Sequence, residues 1–153
     1  MIKYAVSVVV SVALVFSLCA CSAEREFVLG GFSSEVSFTM DEIWIKGELN
    51  FKDRDNITLR IIEPSNLSDI TFTANSIIKD DLTINYSKFK DDSPVYVLLS
   101  VVADLSERQI NLPCEGEFDF SSKTSSTGYK VIFDCAEDKI IRIWTEKFTY
   151  NFK

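Results

Sequence analysis

The 153-residue chain contains no histidine. Histidine is the commonest general base near neutral pH and the commonest metal ligand. Its absence therefore removes the usual partner of a nucleophilic serine or cysteine and argues against a metal site. Proline is also scarce, with three residues, whereas phenylalanine occurs twelve times. This composition indicates a substantial apolar interior and argues against a disordered surface stalk.

The remaining polar residues form no catalytic constellation. The chain has no Gly-x-Ser-x-Gly turn, and Asp53, Asp55 and Asn56 lack the glycine and the distal glutamate of a calcium loop. Two carboxylates can divide acid and base roles, but neighbouring acids on predicted turns are typical of a solvated surface. These pairs are Asp41–Glu42, Asp80–Asp81 and Asp91–Asp92. The sequence therefore predicts a protein that is not an enzyme and has no catalytic residue, metal site or cofactor.

The first 20 residues are typical of a secretory leader. Lys3 is their only charge, and an apolar run follows from Tyr4 to Leu18, which is shorter than the roughly 20 residues of a comfortable membrane span. The segment Leu18-Cys19-Ala20-Cys21 then resembles the lipobox of bacterial lipoproteins. The resemblance implies a signal peptide over residues 1–20 and a diacylglyceryl thioether on Cys21. An uncleaved N-terminal helix anchor is the alternative.

Acyl chains on Cys21, such as palmitate, would hold the mature protein on the extracytoplasmic face of the cell membrane, which is the outer leaflet in a monoderm host. Lys3 is the only charged residue that cleavage removes. The mature part therefore carries a net charge of −8, whereas the full chain carries −7. This acidic balance argues against nucleic acid as a partner and against docking on anionic lipid headgroups. We expect residues 21–32 to form the lipidated cysteine and a short tether, and residues 33–153 to form one β-rich domain.

Period-two alternation predicts a series of strands. It is clearest from Ile43 to Phe51, where apolar and polar side chains alternate, and it resumes from Ile57 to Ile61 after a polar turn. Pro64 should end that strand because proline cannot donate to the ladder. Shorter alternating segments include Ile70–Phe72 and Leu82–Ile84. The pattern predicts a mainly β fold built as a strand meander.

One segment changes to helical spacing. Ser93 is a suitable N-cap and Pro94 suits the first helical position. Asp104 and Glu107 fall outside the apolar stripe that follows. The signals predict a helix of about 13 residues that lies against the sheet, with strands returning over the last third of the chain. The stripe consists of Val95, Leu98, Leu99, Val102 and Leu105.

The segments Gly47-Glu48-Leu49-Asn50-Phe51 and Leu59-Arg60-Ile61-Ile62-Glu63-Pro64, followed by Leu67 and Ile70-Thr71-Phe72, resemble small lipoproteins of Gram-positive bacteria, particularly clostridia. Those lipoproteins are similar to the LolA/LolB-type lipoprotein-carrier fold. The resemblance implies an α+β architecture, with a curved antiparallel sheet or half-barrel and one helix packed on its concave face. In that fold the hollow between sheet and helix holds acyl chains or another apolar ligand.

The leading expectation from this resemblance is a non-enzymatic module that binds lipid or another hydrophobic ligand. The candidate cavity residues are Ile43, Ile45, Leu59, Ile61, Phe72, Leu82, Ile84, Leu98 and Val102. Alternation alone does not distinguish a cavity wall from a filled core. The alternative is therefore an envelope or sporulation-associated protein-interaction module with a filled core and no ligand. Such a module would present an edge strand, or the face that carries Trp44, to an envelope protein.

Cys114 and Cys135 remain as a pair once Cys19 is removed with the leader and Cys21 is acylated. If residues 123–126 form the turn of a hairpin, the numbers of paired positions sum to 249, and 114 and 135 also sum to 249. The two cysteines would then face each other across two strands, within reach of a disulfide. Two buried free thiols are the alternative.

We predict a structural disulfide between Cys114 and Cys135 in the mature protein. Closing a loop of about 20 residues would stabilise the fold by roughly 3 kcal/mol if the effect is mainly on unfolded-chain entropy. Alkylation in denaturant without reductant, followed by mass spectrometry, should leave both residues unmodified, and prior reduction should allow both to be alkylated. Alkylation of both thiols without reductant would contradict the disulfide.

Overall fold

A computed structural model describes residues 25–85, 93–108, 110–112, 117–121, 128–134, 137 and 139–153, with the backbone alone for 25–27, 110–112 and 117–121. These residues form twelve β-strands and one α-helix. In chain order the elements are β1 (Arg25–Phe27), β2 (Phe32–Met40), β3 (Ile43–Asp53), β4 (Asn56–Glu63), β5 (Thr71–Thr73), β6 (Ser76–Lys79), β7 (Leu82–Asn85), α1 (Pro94–Ser106), β8 (Ile110–Leu112), β9 (Glu117–Ser121), β10 (Gly128–Asp134), β11 (Lys139–Thr145) and β12 (Thr149–Phe152).

Ten of the strands form one antiparallel sheet in the order β7-β6-β5-β4-β3-β2-β12-β11-β10-β9. Strands β2 to β7 are a meander, and β12 pairs with β2, so β7 and β9 are the two edges of the described sheet. Strands β1 and β8 pair separately in an antiparallel two-stranded sheet. The predicted mainly β, α+β class with one helix is confirmed for the described residues.

Alternation in β3 divides the sheet into an apolar and a polar face, as predicted. Leu49 of β3 lies opposite Leu59 of β4, and both side chains are fully buried. On the other face, the Lys46 ammonium lies 2.8 Å from a carboxylate oxygen of Glu35. Because solvent-exposed ion pairs of this kind contribute little to stability, the apolar face provides most of the stabilisation of the sheet.

Two of the three acidic pairs and the proline lie at the turns predicted for them, and the third pair, Asp91–Asp92, lies outside the described residues. Asp41 and Glu42 join β2 to β3 with positive φ values of 47° and 68°, the pattern of a type I′ turn, whose twist matches that of paired strands. Asp80 in the turn between β6 and β7 also has a positive φ, of 51°. The last residue of β4 is Glu63, and a cis peptide bond joins it to Pro64.

The helix begins and ends where the capping signals predict. Ser93 Oγ accepts a hydrogen bond from the Tyr96 N–H at 3.4 Å, Pro94 lies in the first turn, and the helix runs for 13 residues to Ser106. Its apolar stripe is buried in one cluster with residues from the apolar face of the sheet. Burial of this stripe stabilises the helix, because a free helix of this length is marginal in water.

Asp104 lies outside the apolar stripe of the helix, yet its side chain is buried and only 1% exposed. The reason is that two groups satisfy its carboxylate inside the protein: the guanidinium of Arg108 one turn later, and the phenol of Tyr129 in β10. Helical spacing places Arg108 beside Asp104, but it gives no indication of Tyr129, which is distant in sequence.

Part of the segment expected to be a tether is packed onto the domain. Residues 25–27 pair with β8, and Leu29 is 7% exposed within the core cluster. Strand β2 begins at Phe32. The folded part of the chain therefore begins before residue 33, which leaves a shorter free tether than residues 21–32.

The register of β9 and β10 agrees with the numbering on which the disulfide prediction depends. Ser121 pairs with Gly128 and Glu117 pairs with Ile132, so the paired numbers sum to 249 in the described part of this hairpin. Cys21, Cys114 and Cys135 lie outside the described residues. The Cys114–Cys135 disulfide stays a prediction, and the register of the described part of the hairpin is the one that this prediction requires.

Gly47 marks a close approach between β3 and β4, next to a register shift at Lys46–Gly47. A Cβ atom at this position would lie 2.9 Å from the Arg60 carbonyl oxygen and 2.9 Å from Leu59 Cδ1. The first of these atoms belongs to the backbone and the second to a fully buried side chain, so neither can move aside at low cost. Glycine is required here by lack of space.

We predict that Gly47→Ala lowers the free energy of unfolding by about 1–3 kcal/mol, the usual cost of overpacking. Gly30→Ala is the matched control, because a Cβ there would meet nothing within 4 Å. Urea denaturation followed by circular dichroism would give both midpoints. Equal midpoints for the two variants would contradict the steric account.

Candidate functional site

An apolar pocket of about 130 Å³ lies at the N-terminal end of α1. The β2–β3 hairpin, the end of β4 and the first residues of the helix supply its walls, together with the chain that joins β4 to β5. Ser93 is the only polar residue in the lining, and its hydroxyl already accepts the helix-capping hydrogen bond. The lining residues are Phe38, Met40, Ile45, Ile61, Leu67, Ile70, Phe72, Ser93 and Val95.

A compact loop between β4 and β5 forms one wall of this pocket. The Ile61 N–H donates to the Ile70 carbonyl at 2.8 Å, and the Asp69 N–H donates to the Ile61 carbonyl at 3.0 Å. The Leu67 N–H donates to the Pro64 carbonyl at 2.9 Å. These bonds fold the loop back on the end of β4, and they bring the side chains of Leu67 and Ile70 into the pocket wall.

The volume of the pocket limits what it can hold. Pockets for drug-sized ligands measure about 300–1,000 Å³, whereas an engineered cavity of about 150 Å³ accepts a benzene molecule. At about 130 Å³ the apolar pocket has room for one ring or a short alkyl group. A complete acyl chain would need further surface outside it.

Such a surface continues from the pocket across three strands. Phe72, which lines the pocket, pairs with Ile77 of β6, and Ile77 pairs with Ile84 of β7. Leu82 lies two residues before Ile84 and therefore on the same face. Phe72 and Ile77 are half-buried, whereas Ile84 is 52% and Leu82 61% exposed. We call these four residues, Phe72, Ile77, Leu82 and Ile84, the apolar trough.

The structure divides the predicted cavity residues into three groups. Ile45, Ile61 and Phe72 line the pocket. The other six lie outside its lining. Of these, Leu59, Leu98 and Val102 are fully buried in the core, and Ile43, Leu82 and Ile84 are exposed by 45%, 61% and 52%.

Sequence reasoning did not identify the loop residues Leu67 and Ile70 or the helix residue Val95 as pocket residues. Leu67 and Ile70 are apolar side chains in an otherwise polar loop, and that contrast was the available signal. Val95 was assigned to the helix stripe, and no periodicity indicates that the first turn of the helix lies beside a gap. The pocket depends on where separate elements meet, which the local pattern does not contain.

A second candidate site is the buried polar cluster of Asp104, Arg108 and Tyr129. Two guanidinium nitrogens of Arg108 lie 2.8 Å from an Asp104 carboxylate oxygen, which also accepts the Tyr129 phenol hydrogen bond. The Arg108 guanidinium lies 5.9 Å from the centre of the Tyr129 ring. Because Asp104 is 1% exposed, a ligand has no access to its carboxylate. This cluster is an attachment between the helix and β10.

The polar face of the sheet carries two tryptophans. Trp44 in β3 is 52% exposed. Trp144 in β11 is half-buried, and the Arg142 guanidinium lies 5.3 Å from the centre of its ring. Trp144 is therefore covered by a cation–π partner, and Trp44 is the more accessible of the two rings.

No model of a known protein family matches the chain, and no curated protein matches it in sequence. Within the described residues, no helix combines the length and the apolar character needed to cross a bilayer. The same part of the chain contains no group of three or more side chains suited to hold a metal ion.

Two buried tyrosines give the fold an expected pH dependence. The Tyr150 phenol donates to the Pro94 carbonyl at 2.7 Å. Burial raises the pKa of both Tyr129 and Tyr150 well above the usual value, and the hydrogen bond to Asp104 raises the pKa of Tyr129 further. An unfolded tyrosine ionises near pH 10. Above that pH the folded state holds protons that the unfolded state releases, so stability falls as the pH rises.

We predict that the urea midpoint falls between about pH 8 and about pH 11, and that the fall is smaller in the double variant Tyr129→Phe/Tyr150→Phe. At about pH 8 the variant should be less stable than the wild type by about 1–3 kcal/mol, because both hydrogen bonds are lost. Denaturation curves at the two pH values test both statements. An identical fall in the two proteins would show that these phenols do not cause it.

Proposed function

We propose that the protein is a lipid-anchored, extracytoplasmic binding module, held by acyl chains on Cys21, that takes a hydrophobic ligand without chemical change. The observation that carries the proposal is the continuity of the apolar pocket with the apolar trough. The pocket has room for a terminal apolar group, and the trough offers an open apolar surface for the next part of the ligand. Exposed apolar surface of this kind commonly marks a binding site.

The proposal includes a curved sheet with the helix on its concave side, as in lipoprotein-carrier folds. Three register shifts favour curvature, because an irregular pairing bends the strand that contains it. They lie between Lys46 and Gly47, between Phe51 and Asp53, and between Ile132 and Phe133. Strand twist accumulated over ten strands acts in the same direction. The ligand would lie at one end of this curve, since Leu98 and Val102 of the helix are fully buried in the core.

The N-terminal segment favours a position of the pocket away from the membrane. Strand β1 pairs with β8, which begins four residues after the last residue of the helix. The Arg54 guanidinium, in the β3–β4 turn, pairs with Glu107 at the same helix end. Residues 22–24 alone separate Cys21 from Arg25, so these two residues can lie about 14 Å apart at most. A 13-residue helix is about 20 Å long, and the pocket lies at its other end.

A second candidate is a protein-interaction module with a filled core. The exposed ring of Trp44 on the polar face favours it, because aromatic side chains are enriched at protein interfaces. In that case an envelope protein would cover Trp44, and the apolar pocket would bind nothing.

We predict that the mature protein binds a neutral apolar dye such as Nile red and that Leu82→Ser/Ile84→Ser weakens this binding about ten-fold. Full burial of an aliphatic side chain contributes about 1.5–3 kcal/mol, and partial cover of two such chains by the ligand contributes enough for that loss. Both residues are exposed, so the variant should keep its fold. Fluorescence titration measures the affinity.

The control is Ile62→Ser, which removes an apolar side chain that is 38% exposed and belongs to neither the pocket nor the trough. It should leave the dye affinity unchanged. Absence of dye binding by the wild type, or equal losses in the two variants, would contradict a hydrophobic ligand and would favour the interaction module.

A further inference from the structure

The chain segments that line the apolar pocket contain acidic residues and no basic ones. The lining residues come from three segments: Phe38–Ile45, Ile61–Phe72 and Ser93–Val95. These segments contain four acidic residues and no lysine or arginine. All four acidic side chains are exposed. They are Asp41, Glu42, Glu63 and Asp69.

Three of these acids lie directly beside lining residues. Asp41 and Glu42 follow Met40, and Asp69 precedes Ile70. Glu63 instead pairs with Lys46 across a register shift, and Lys46 forms its ion pair with Glu35 at 2.8 Å on the polar face of the sheet. On the trough face, Lys79 pairs with Leu82. Asp41, Glu42 and Asp69 are therefore the acidic residues next to the pocket.

The opposite end of β3 has no such excess of negative charge. At the opposite end of β3, the turn Lys52-Asp53-Arg54-Asp55 carries two charges of each sign. Residues 86–92, which lie outside the described residues, contain two lysines and two aspartates and add no net charge. The balanced turn belongs to the same mature chain, whose net charge is −8. The acidity of the whole chain therefore does not by itself explain the acidic residues beside the pocket.

Charge of this sign restricts the ligand. A fatty acid would bring a carboxylate toward those of Asp41, Glu42 and Asp69, and carboxylates within about 10 Å repel at ordinary ionic strength. A ligand with positive charges beside its apolar groups would instead be attracted and oriented.

Shape restricts the ligand further. The pocket holds about one ring or short alkyl group, and the trough adds separate aliphatic side chains on strands about 5 Å apart. That spacing resembles the roughly 5–6 Å between neighbouring apolar side chains on one face of a helix.

We infer that the natural ligand of this site is a basic, amphipathic polypeptide segment. One of its apolar side chains fills the pocket, its next apolar side chains lie on the trough, and its lysines or arginines face Asp41, Glu42 and Asp69. The inference rests on the proposed function and specifies the ligand class. Because the pocket lies at the helix end opposite the N-terminal segment, the ligand binds at the end of the domain away from the membrane.

Three synthetic helical peptides with one leucine pattern test the inference. Their polar positions are all lysine, all glutamine or all glutamate, and each is titrated by fluorescence anisotropy into the intact mature protein. We expect the lysine peptide to bind at least ten-fold more tightly than the glutamate peptide at about 0.1 M salt. The advantage should largely disappear at about 1 M salt, where the screening length falls to about 3 Å.

Two double variants separate the pocket charge from the overall charge. Asp41→Asn/Asp69→Asn removes two carboxylates next to the pocket, and asparagine accepts the positive φ that both positions have. Asp55→Asn/Glu137→Gln removes two exposed carboxylates outside the three lining segments. The first variant should weaken lysine-peptide binding several-fold, and the second should leave it unchanged.

The outcomes distinguish this inference from the proposed function. Equal affinity for the lysine and glutamate peptides, or equal losses in the two double variants, would overturn the basic ligand while dye binding stays intact. Dye binding without binding of any of the three peptides would also overturn it. Loss of both dye and peptide binding would overturn the proposed function itself. If Leu82→Ser/Ile84→Ser fails to weaken the lysine peptide, the trough is not part of the site.

Discussion

The structure depends on the contact between one short helix and a sheet much wider than that helix. Ten strands at about 4.8 Å spacing extend over roughly 43 Å, whereas α1, with 13 residues, is about 20 Å long and about 10 Å across. The helix can therefore cover only part of the apolar face. Beside the helix, the β4 residues Ile57, Leu59 and Ile61 are buried, and toward β7 the exposure rises to 52% at Ile84 and 61% at Leu82. The pocket lies at the border between the covered and uncovered parts.

The same border carries acidic residues at positive φ, as the β6–β7 turn also does at Asp80. A type I′ turn is best formed by asparagine and glycine, yet the turn beside the pocket uses Asp41 and Glu42 at positive φ. Asp69, also at positive φ, stands in the loop that forms another wall. Acidic side chains at such positions cost conformational free energy relative to asparagine or glycine. A role in attracting a basic ligand gives these carboxylates a physical reason.

Local signals predicted the elements of the fold well, and they predicted the site only in part. Alternation located β3, capping residues located α1, and turn arithmetic located the register of β9 against β10. Of the nine predicted cavity residues, three line the pocket. Alternation assigns a side chain to a face of the sheet, but whether that face is covered by a helix, by a loop or by nothing depends on distant segments. The burial of Asp104 was missed for the same reason, because its partner Tyr129 is 25 positions away.

The sequence by itself determined the alternation of the strands and the start of the helix, because each depends on residues within a few positions of one another. Its composition determined the acidic balance, and the leader and the lipobox stay predictions from the first 21 residues. The tertiary structure decided which apolar residues became core and which became surface, because that depends on the limited width of one helix laid over ten strands. It also decided that Leu67 and Ile70 close a pocket, since the loop that holds them folds back through bonds to Ile61. Finally, it brought the β2–β3 hairpin and the β4–β5 loop together at that pocket, since both supply lining residues.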